Sequence, residues 1–222
     1  MYFQFLTEDK STAMLVEQIM DKLKRDYPEK DLFYDIKSFQ GIGHLKKCGN
    51  VRQQKTGKLL NDLFPIMRGM GKALLGVEHA AIIVVLDNDK NDKVTFRNQL
   101  NQMAAGNMIL TDYEFCIAVK ETEAWLLGDV KAIEAAYPNV RKSAWKDYEQ
   151  DGICDTWEVL ANAVYPGGLT ELKKKAAGAY TQIGIAKCEW ARFIGAHMSL
   201  AENASPSYQF FVKNLTKRIE AV

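Results

Sequence analysis

The most informative stretch of the chain is Ala80-Ala81-Ile82-Ile83-Val84-Val85-Leu86-Asp87-Asn88-Asp89, a continuous apolar run that stops at two acids. A run that is apolar on both faces is typical of a central strand in a parallel sheet, because helices cover both sides of such a sheet. In these sheets the functional crevice lies beyond the carboxyl ends of the strands, where we expect Asp87 and Asp89. Carboxylates at this spacing are hard oxygen ligands that suit Mg²⁺ or Mn²⁺, although acids at a strand end also serve simply as turn residues.

Length and composition predict an ordinary globular protein. The chain has 222 residues, 47% hydrophobic and 26% charged, enough for one large domain or a domain with an appended subdomain. The net charge of +1 excludes a global basic field, so any nucleic-acid surface must be local. No apolar run approaches membrane-spanning length and no signal peptide is recognised, so we expect a cytoplasmic protein with no membrane partner. The cysteines form no Cys-x-x-Cys pair, which argues against zinc and favours reduced thiols: Cys48, Cys116, Cys154 and Cys188.

Strand and helix patterns alternate through the first part of the chain. We expect strands over residues 2–6, 32–36, 80–86 and 113–119, with helices between them that include residues 57–75 and 94–105. This alternation predicts an α/β fold with a mostly parallel central sheet, flanked by helices and linked by right-handed crossovers. Later segments, such as residues 186–198, are only helical in pattern. We therefore expect an α/β domain over residues 1–130 and a helical extension packed on it over residues 131–222.

Acidic residues follow three of the four predicted strands. Glu8 follows the first, Asp87 and Asp89 follow the third, and Glu121 or Glu123 follows the fourth. Because the carboxyl ends of neighbouring parallel strands lie close together, these carboxylates would repel one another unless a cation neutralised them. The convergence predicts a divalent-metal site. Glu121 and Glu123 could instead be acids that complement the dipole at a helix N-terminus.

A strand ending in Glu, followed by a later strand ending in Asp-x-Asp, resembles the signature of the Toprim domain, the fold of topoisomerases, primases and the overcoming-lysogenization-defect (OLD) family nucleases. A second segment is similar to the E-x-E-a-W-l-l motif of an uncharacterised bacterial Toprim-like family related to the RloB group: Ile117-Ala118-Val119-Lys120-Glu121-Thr122-Glu123-Ala124-Trp125-Leu126-Leu127-Gly128-Asp129. Further segments resemble this family's glycine-rich turn and C-terminal helices, so the resemblance covers most of the chain: 41–46, 173–180, 184–186 and 206–215. One departure concerns the usual E-G-x-x-E turn, since Glu8 is followed by Asp9-Lys10-Ser11, which leaves either Glu8 or Asp9 as the metal ligand.

The resemblance implies a Toprim-like fold and a divalent-metal-dependent nuclease that hydrolyses phosphodiesters of DNA or RNA. Mg²⁺ or Mn²⁺ would be held by Glu8, Asp87, Asp89 and Glu123, with Glu121 as the alternative to Glu123. Lys120 and Lys46 would neutralise charge on the scissile phosphate. Nucleic-acid contacts are expected at His44, Lys46, Lys173 and Lys174, although a loop histidine and a lysine run are also ordinary surface features. Such families are linked to phage-defence and mobile-element loci, often beside an ATPase gene, so a separately encoded ATPase is an expected partner and a homo-oligomer is possible; the chain itself has no ATP-binding P-loop.

Three other functions fit parts of the sequence. The first is a noncatalytic Toprim-like interaction or regulatory subunit of an ATPase complex, which need not bind metal. The second is a phosphoacceptor switch similar to a receiver domain, with acids after the first strand, Asp87 as acceptor and Lys120 nearby, although Asp89 would then be idle. The third is a nucleotide-processing phosphotransferase, because the same kind of metal site serves several phosphoryl chemistries. Within the fold, Cys116 and the segment Trp125-Leu126-Leu127 are expected to be core residues.

Overall fold

The computed structural model describes residues 1–41, 43, 58–89, 91–152, 154–179 and 181–222. In this part of the chain, four strands form a single sheet in which every pairing is parallel. The strands are β1 (Tyr2–Thr7), β2 (Phe33–Ser38), β3 (Ala80–Asp87) and β4 (Asp112–Ala118), in the spatial order β2-β1-β3-β4. The predicted parallel α/β sheet is therefore confirmed, and it is consistent with a Toprim-like architecture.

The strand β3 lies at the centre of the sheet, as its sequence predicts. Residues 81–87 of this strand are buried, because helices cover both faces of the sheet. Thr7 pairs with Val85, and Asp87 pairs with Ala118. This register brings the carboxyl ends of β1, β3 and β4 to the same edge of the sheet.

Helices connect the strands and continue to the C-terminus. Those between strands are α1 (Lys10–Asp26), α2 (Leu59–Ala73) and α3 (Lys93–Gly106). Later in the chain come α4 (Glu123–Leu127), α5 (Val130–Ala136), a 3-10 helix (Lys142–Trp145), α6 (Thr156–Val164), α7 (Gly168–Ala176), α8 (Thr181–His197) and α9 (Pro206–Glu220). The start of the predicted helix at residue 57 lies outside the described residues. None of the described helices combines the length and apolar character needed to span a membrane.

The two faces of the sheet pack against different sets of helices. On one face, α2 and α3 cover a cluster that includes Leu6, Val84 and Phe115. On the other face, α1 and the helices after β4 share a larger cluster with β1 and β3. In that cluster the Trp125 ring stacks on Phe211 of α9, with ring centroids 5.1 Å apart. The C-terminal helices thus complete a core of the sheet itself.

The helix α8 begins five residues earlier than the pattern predicts, at Thr181 rather than residue 186. Its first turns are mostly exposed, and no atom of the described residues outside this helix lies within 4 Å of where a Cβ of residue 184 would stand. These residues therefore lack the apolar periodicity that marks a helix in sequence. Trp125, Leu126, Leu127 and Cys116 are all buried, which confirms them as core residues.

Candidate functional site

Glu8 and Asp87 meet at the carboxyl ends of β1 and β3. Glu8 lies one residue beyond β1, and its Oε2 accepts a hydrogen bond from the Asp87 backbone N–H at 3.1 Å. The Asp87 side chain is held by Thr122, whose hydroxyl donates to Asp87 Oδ1 at 2.7 Å. Thr122 Oγ1 lies in turn 3.1 Å from Thr12 Oγ1 of α1. The parallel register and two threonines thus orient Asp87 toward Glu8.

Glu123 joins this cluster from the start of α4. Its side chain is 3% exposed, and Lys187 of α8 lies 3.1 Å from its Oε2 as an ion pair. The pair does not have hydrogen-bond geometry, and none of the described residues donates a hydrogen bond to Glu123 Oε2. A cavity of about 10 Å³ beside Glu123 is lined partly by Ser11 and Thr122. This volume is about that of one water site, and the remaining lining is apolar: Leu15, Leu126 and Ala191.

Burial and neighbouring charges raise the pKa of all three carboxyls. Burial raises the pKa of Glu123 to about 7, and Lys187 opposes this rise. The pKa of Glu8 also rises to about 7, through burial and the nearby charges of Asp9 and Asp89. The pKa of Asp87 is raised by burial, by Glu8 and by Glu123. The structure thus places Asp87 close enough to Glu8 and to Glu123 for their charges to raise its pKa.

Lys187 is the residue of this site that the sequence analysis missed. Burial alone would lower its pKa, but Glu123 and Asp87 outweigh that effect and raise it, so the side chain remains an ammonium. The signal was present in α8, where Lys187 shares the i, i+3, i+4, i+7 spacing of three buried residues: Trp190, Ala191 and Ile194. A lysine on the apolar face of a helix is uncommon unless a buried acid awaits it.

Asp89 and Lys120 lie at the rim of the cluster and are joined through their backbones. The Asp89 N–H donates to Lys120 O at 3.0 Å, and Lys120 N–H donates to Asn88 Oδ1 at 2.6 Å. Both residues have positive φ, 47° for Asp89 and 67° for Lys120, which marks two tight turns held against each other. Asp89 is exposed and close enough to raise the pKa of Glu8, whereas Asp87 and Glu123 are buried.

Glu121, the alternative metal ligand, has a different role in the structure. Both of its carboxylate oxygens accept hydrogen bonds at the N-terminus of α6, from the Asp155 N–H, the Thr156 hydroxyl and the Trp157 N–H at 2.8–3.2 Å. Glu121 therefore attaches α6 to the end of β4. Asp9 is likewise engaged as the N-cap of α1, accepting from the Thr12 N–H at 2.8 Å. These contacts leave Glu8 and Glu123 as the glutamates that face Asp87.

The structure describes only some of the residues predicted to contact nucleic acid. His44 and Lys46 lie outside the described residues. Lys173 Nζ is 2.7 Å from Glu158, and Lys174 Nζ is 3.9 Å from Glu171, so each of these two α7 lysines has an acidic neighbour. Lys173 also lines a cavity of about 390 Å³.

The side chains of the cluster are of the kind that binds a divalent cation, but their positions in this structure do not form a binding site for one. Carboxylate oxygens gathered at one strand edge are the donors that Mg²⁺ and Mn²⁺ prefer, and the charges of Glu8 and Glu123 raise the pKa of Asp87. Among the residues that the structure describes, however, no group of three or more histidine, cysteine, aspartate or glutamate side chains is placed to hold a metal ion. The Lys187 ammonium lies where a cation would be expected, against Glu123.

Comparisons with known proteins add no relative. No family model matches the sequence. No curated protein matches it, and no solved structure matches the fold. The resemblance to the Toprim-like family therefore depends on the quoted motifs.

Proposed function

We propose that this protein is a divalent-metal-dependent nuclease that hydrolyses phosphodiester bonds of DNA or RNA. The observation that carries the proposal is the meeting of Glu8, Asp87 and Glu123 at one edge of the sheet, where burial raises the pKa of each carboxyl. Perturbed acids at the carboxyl ends of parallel strands are a frequent mark of an active site. The proposal includes a cytoplasmic location and a separately encoded ATPase as partner.

In this proposal Glu8, Asp87, Asp89 and Glu123 would hold Mg²⁺ or Mn²⁺. The bound ion would supply an activated water and stabilise charge on the scissile phosphate. Thr122 keeps Asp87 in one orientation through its 2.7 Å hydrogen bond. The Lys187 ammonium is paired with Glu123 in this structure, and it can pair with a phosphate oxygen instead when substrate enters. Lys120, at the rim between Asn88 and Asp89, could approach the same phosphate.

The direct test compares Asp87→Asn with Asp92→Asn in a cleavage assay. Labelled single-stranded DNA, duplex DNA and RNA are incubated with each protein in Mn²⁺, in Mg²⁺ and in EDTA. Asp92 is the N-cap of α3, and asparagine caps helices equally well, so this variant controls for loss of an acid near the same strand. We expect cleavage by the wild type and by Asp92→Asn in metal only, and none by Asp87→Asn. Full activity of Asp87→Asn would contradict the proposed site.

The ion pair between Lys187 and Glu123 favours a second candidate, the noncatalytic interaction subunit of an ATPase complex. A lysine that already neutralises part of the cluster makes a metal less necessary for folding. Calorimetric titration of the wild type with Mn²⁺ separates the two functions. A nuclease must bind the ion, and Asp87→Asn must weaken that binding, whereas a protein that binds no Mn²⁺ at millimolar concentration would be the interaction subunit.

A further inference from the structure

A cavity of about 390 Å³ lies between the start of α6, the end of α7 and the start of α8. This volume falls within the range of roughly 300–1,000 Å³ that is usual for small-molecule sites. Its apolar lining includes Trp157, Ala176 and Ile183, and its polar lining includes Asp155, Glu158 and Lys173. Trp157 and Ile183 are only half-buried, so an aromatic and an aliphatic surface remain open to a ligand.

Hydrogen bonds link the start of α6, which lines the cavity, to the turns that follow β3 and β4. Glu121, two residues before Glu123, accepts hydrogen bonds from the Trp157 N–H and the Thr156 hydroxyl. At the end of the neighbouring strand β3, the Cys154 thiol donates to the Asp89 carbonyl oxygen at 3.4 Å. The turns that hold the start of α6 are therefore the same turns that carry two of the proposed metal ligands, Asp89 and Glu123.

We propose that this cavity is a subsite for a nucleobase and its phosphate in a single-stranded stretch of the substrate. The indole of Trp157 offers a flat face for stacking, and stacking on an aromatic side chain suits any base. Asp155 and Glu158 can accept hydrogen bonds from exocyclic amino groups, as carboxylates accept from cytosine. This inference rests on the proposed nuclease function, because it names the form of nucleic acid that the site receives.

Lys173 is placed to bind the phosphate of the same nucleotide. Its Nζ lies 5.7 Å from the centroid of the Trp157 ring and 2.7 Å from Glu158 Oε1. About half of the lysine side chain is exposed, and an exposed ion pair of this kind contributes little to stability. Lys173 can therefore leave Glu158 for a phosphate oxygen at little cost. Lys174, at 79% exposure, projects outward instead.

Binding of a fluorescein-labelled single-stranded oligonucleotide, measured by anisotropy in EDTA, tests the subsite without cleavage. The variants are Trp157→Ala, Trp157→Phe and Lys173→Met, with Lys131→Met as the control because Lys131 forms a comparable surface ion pair with Glu202. Circular dichroism and thermal melts establish which variants are folded. We expect Trp157→Ala to raise Kd by about 5- to 150-fold, the loss that removing a stacking aromatic produces.

The other variants sharpen the outcome. Trp157→Phe keeps a stacking face and should bind more tightly than Trp157→Ala. Lys173→Met should weaken binding and lower the slope of log Kd against log salt by about 0.7–1, as the loss of one phosphate contact requires. Lys131→Met should bind like the wild type. Because Lys173→Met leaves the core untouched, it decides the question if Trp157→Ala does not fold.

Two results would overturn the inference. The first is that the wild type does not bind the oligonucleotide. The second is that Lys173→Met and a folded Trp157 variant both bind it with the affinity of the wild type. Failure of the subsite and failure of the nuclease function remain distinguishable. Metal-dependent cleavage lost only in Asp87→Asn, with Trp157→Ala binding unchanged, refutes the subsite alone. Binding that depends on Trp157, without cleavage in any metal, refutes the nuclease alone.

Discussion

Replacing Glu123 by glutamine should change how the stability of the protein depends on pH. Glutamine has nearly the same shape as glutamate but carries no charge, and Glu123 is only 3% exposed. Burial raises the pKa of Glu123 from 4.5 to about 7 in the folded protein. A carboxyl with a raised pKa binds its proton more tightly in the folded state than in the unfolded state. Its contribution to stability is therefore complete below pH 4.5 and is lost as pH rises through 7.

The size of this loss follows from the shift. Each pKa unit corresponds to about 1.36 kcal/mol, so a change from 4.5 to about 7 removes about 3 kcal/mol of unfolding free energy from the wild type. Glu123→Gln does not titrate and escapes this loss. Removing the Glu123 charge also lowers the pKa of Asp87, which acts in the same direction. Lys187 stays charged throughout, and its attraction for ionised Glu123 is already contained in the Glu123 pKa of about 7, so it adds no separate change with pH.

Urea denaturation at pH 4.5, 6, 7 and 8, in EDTA and at constant ionic strength, measures the effect. The unfolding free energy of Glu123→Gln minus that of the wild type should increase by about 3 kcal/mol between pH 4.5 and 8. The control is Glu202→Gln, which removes an exposed acid paired with Lys131 and should leave the pH profile unchanged. If the unfolding free energies of Glu123→Gln and the wild type change with pH in parallel, the reasoning is refuted, because Glu123 would then have the same pKa in the folded and unfolded states.

Two further predictions concern the packing that supports the site. Ser207→Ala removes the hydroxyl that accepts from the Trp125 indole N–H at 2.9 Å and the Val119 N–H at 3.2 Å, so it should lower the unfolding free energy by about 1–3 kcal/mol; a loss below 0.5 kcal/mol in urea denaturation would show that both donors find new partners. Gly128→Ala would bring a Cβ against the buried side-chain oxygen of Asn203 and within 3.0 Å of Ser205 N, at a cost of about 1–3 kcal/mol. By contrast, Gly184→Ala in α8 meets open space and should stabilise the helix by about 0.5–1 kcal/mol, and thermal melts should therefore move in opposite directions for the two glycines.

Much of the fold could be predicted because its signals are local. The apolar run of β3 and the alternation of strands and helices are properties of short windows, and the structure confirms the parallel sheet that they predict. The strand β2 ends at Ser38 rather than at the predicted residue 36, and α8 begins before the predicted residue 186. Both differences involve solvent-facing residues, which carry little periodic signal. The order β2-β1-β3-β4 could not be derived, since it depends on which strands pair across long separations.

The site was predictable in its acids and not in their partners. Glu8, Asp87 and Glu123 follow strands whose carboxyl ends must meet in a parallel sheet, so their proximity follows from topology. The hydrogen bonds of Glu121 depend instead on the N-terminus of α6, which lies more than thirty residues further along the chain. Lys187 comes from a helix in the C-terminal half of the chain, and nothing near β1, β3 or β4 in sequence points to it. Pairings of this kind are set by tertiary packing.

The charge balance of the cluster bears on which proposed function it serves. When Glu8, Asp87 and Glu123 are ionised, they carry three negative charges against the one positive charge of Lys187. The remaining two negative charges equal the charge of a single divalent cation, and leaving them uncompensated in a buried site is costly. The three acids around one lysine therefore leave a charge imbalance that one divalent ion would neutralise, as the proposed metal site requires.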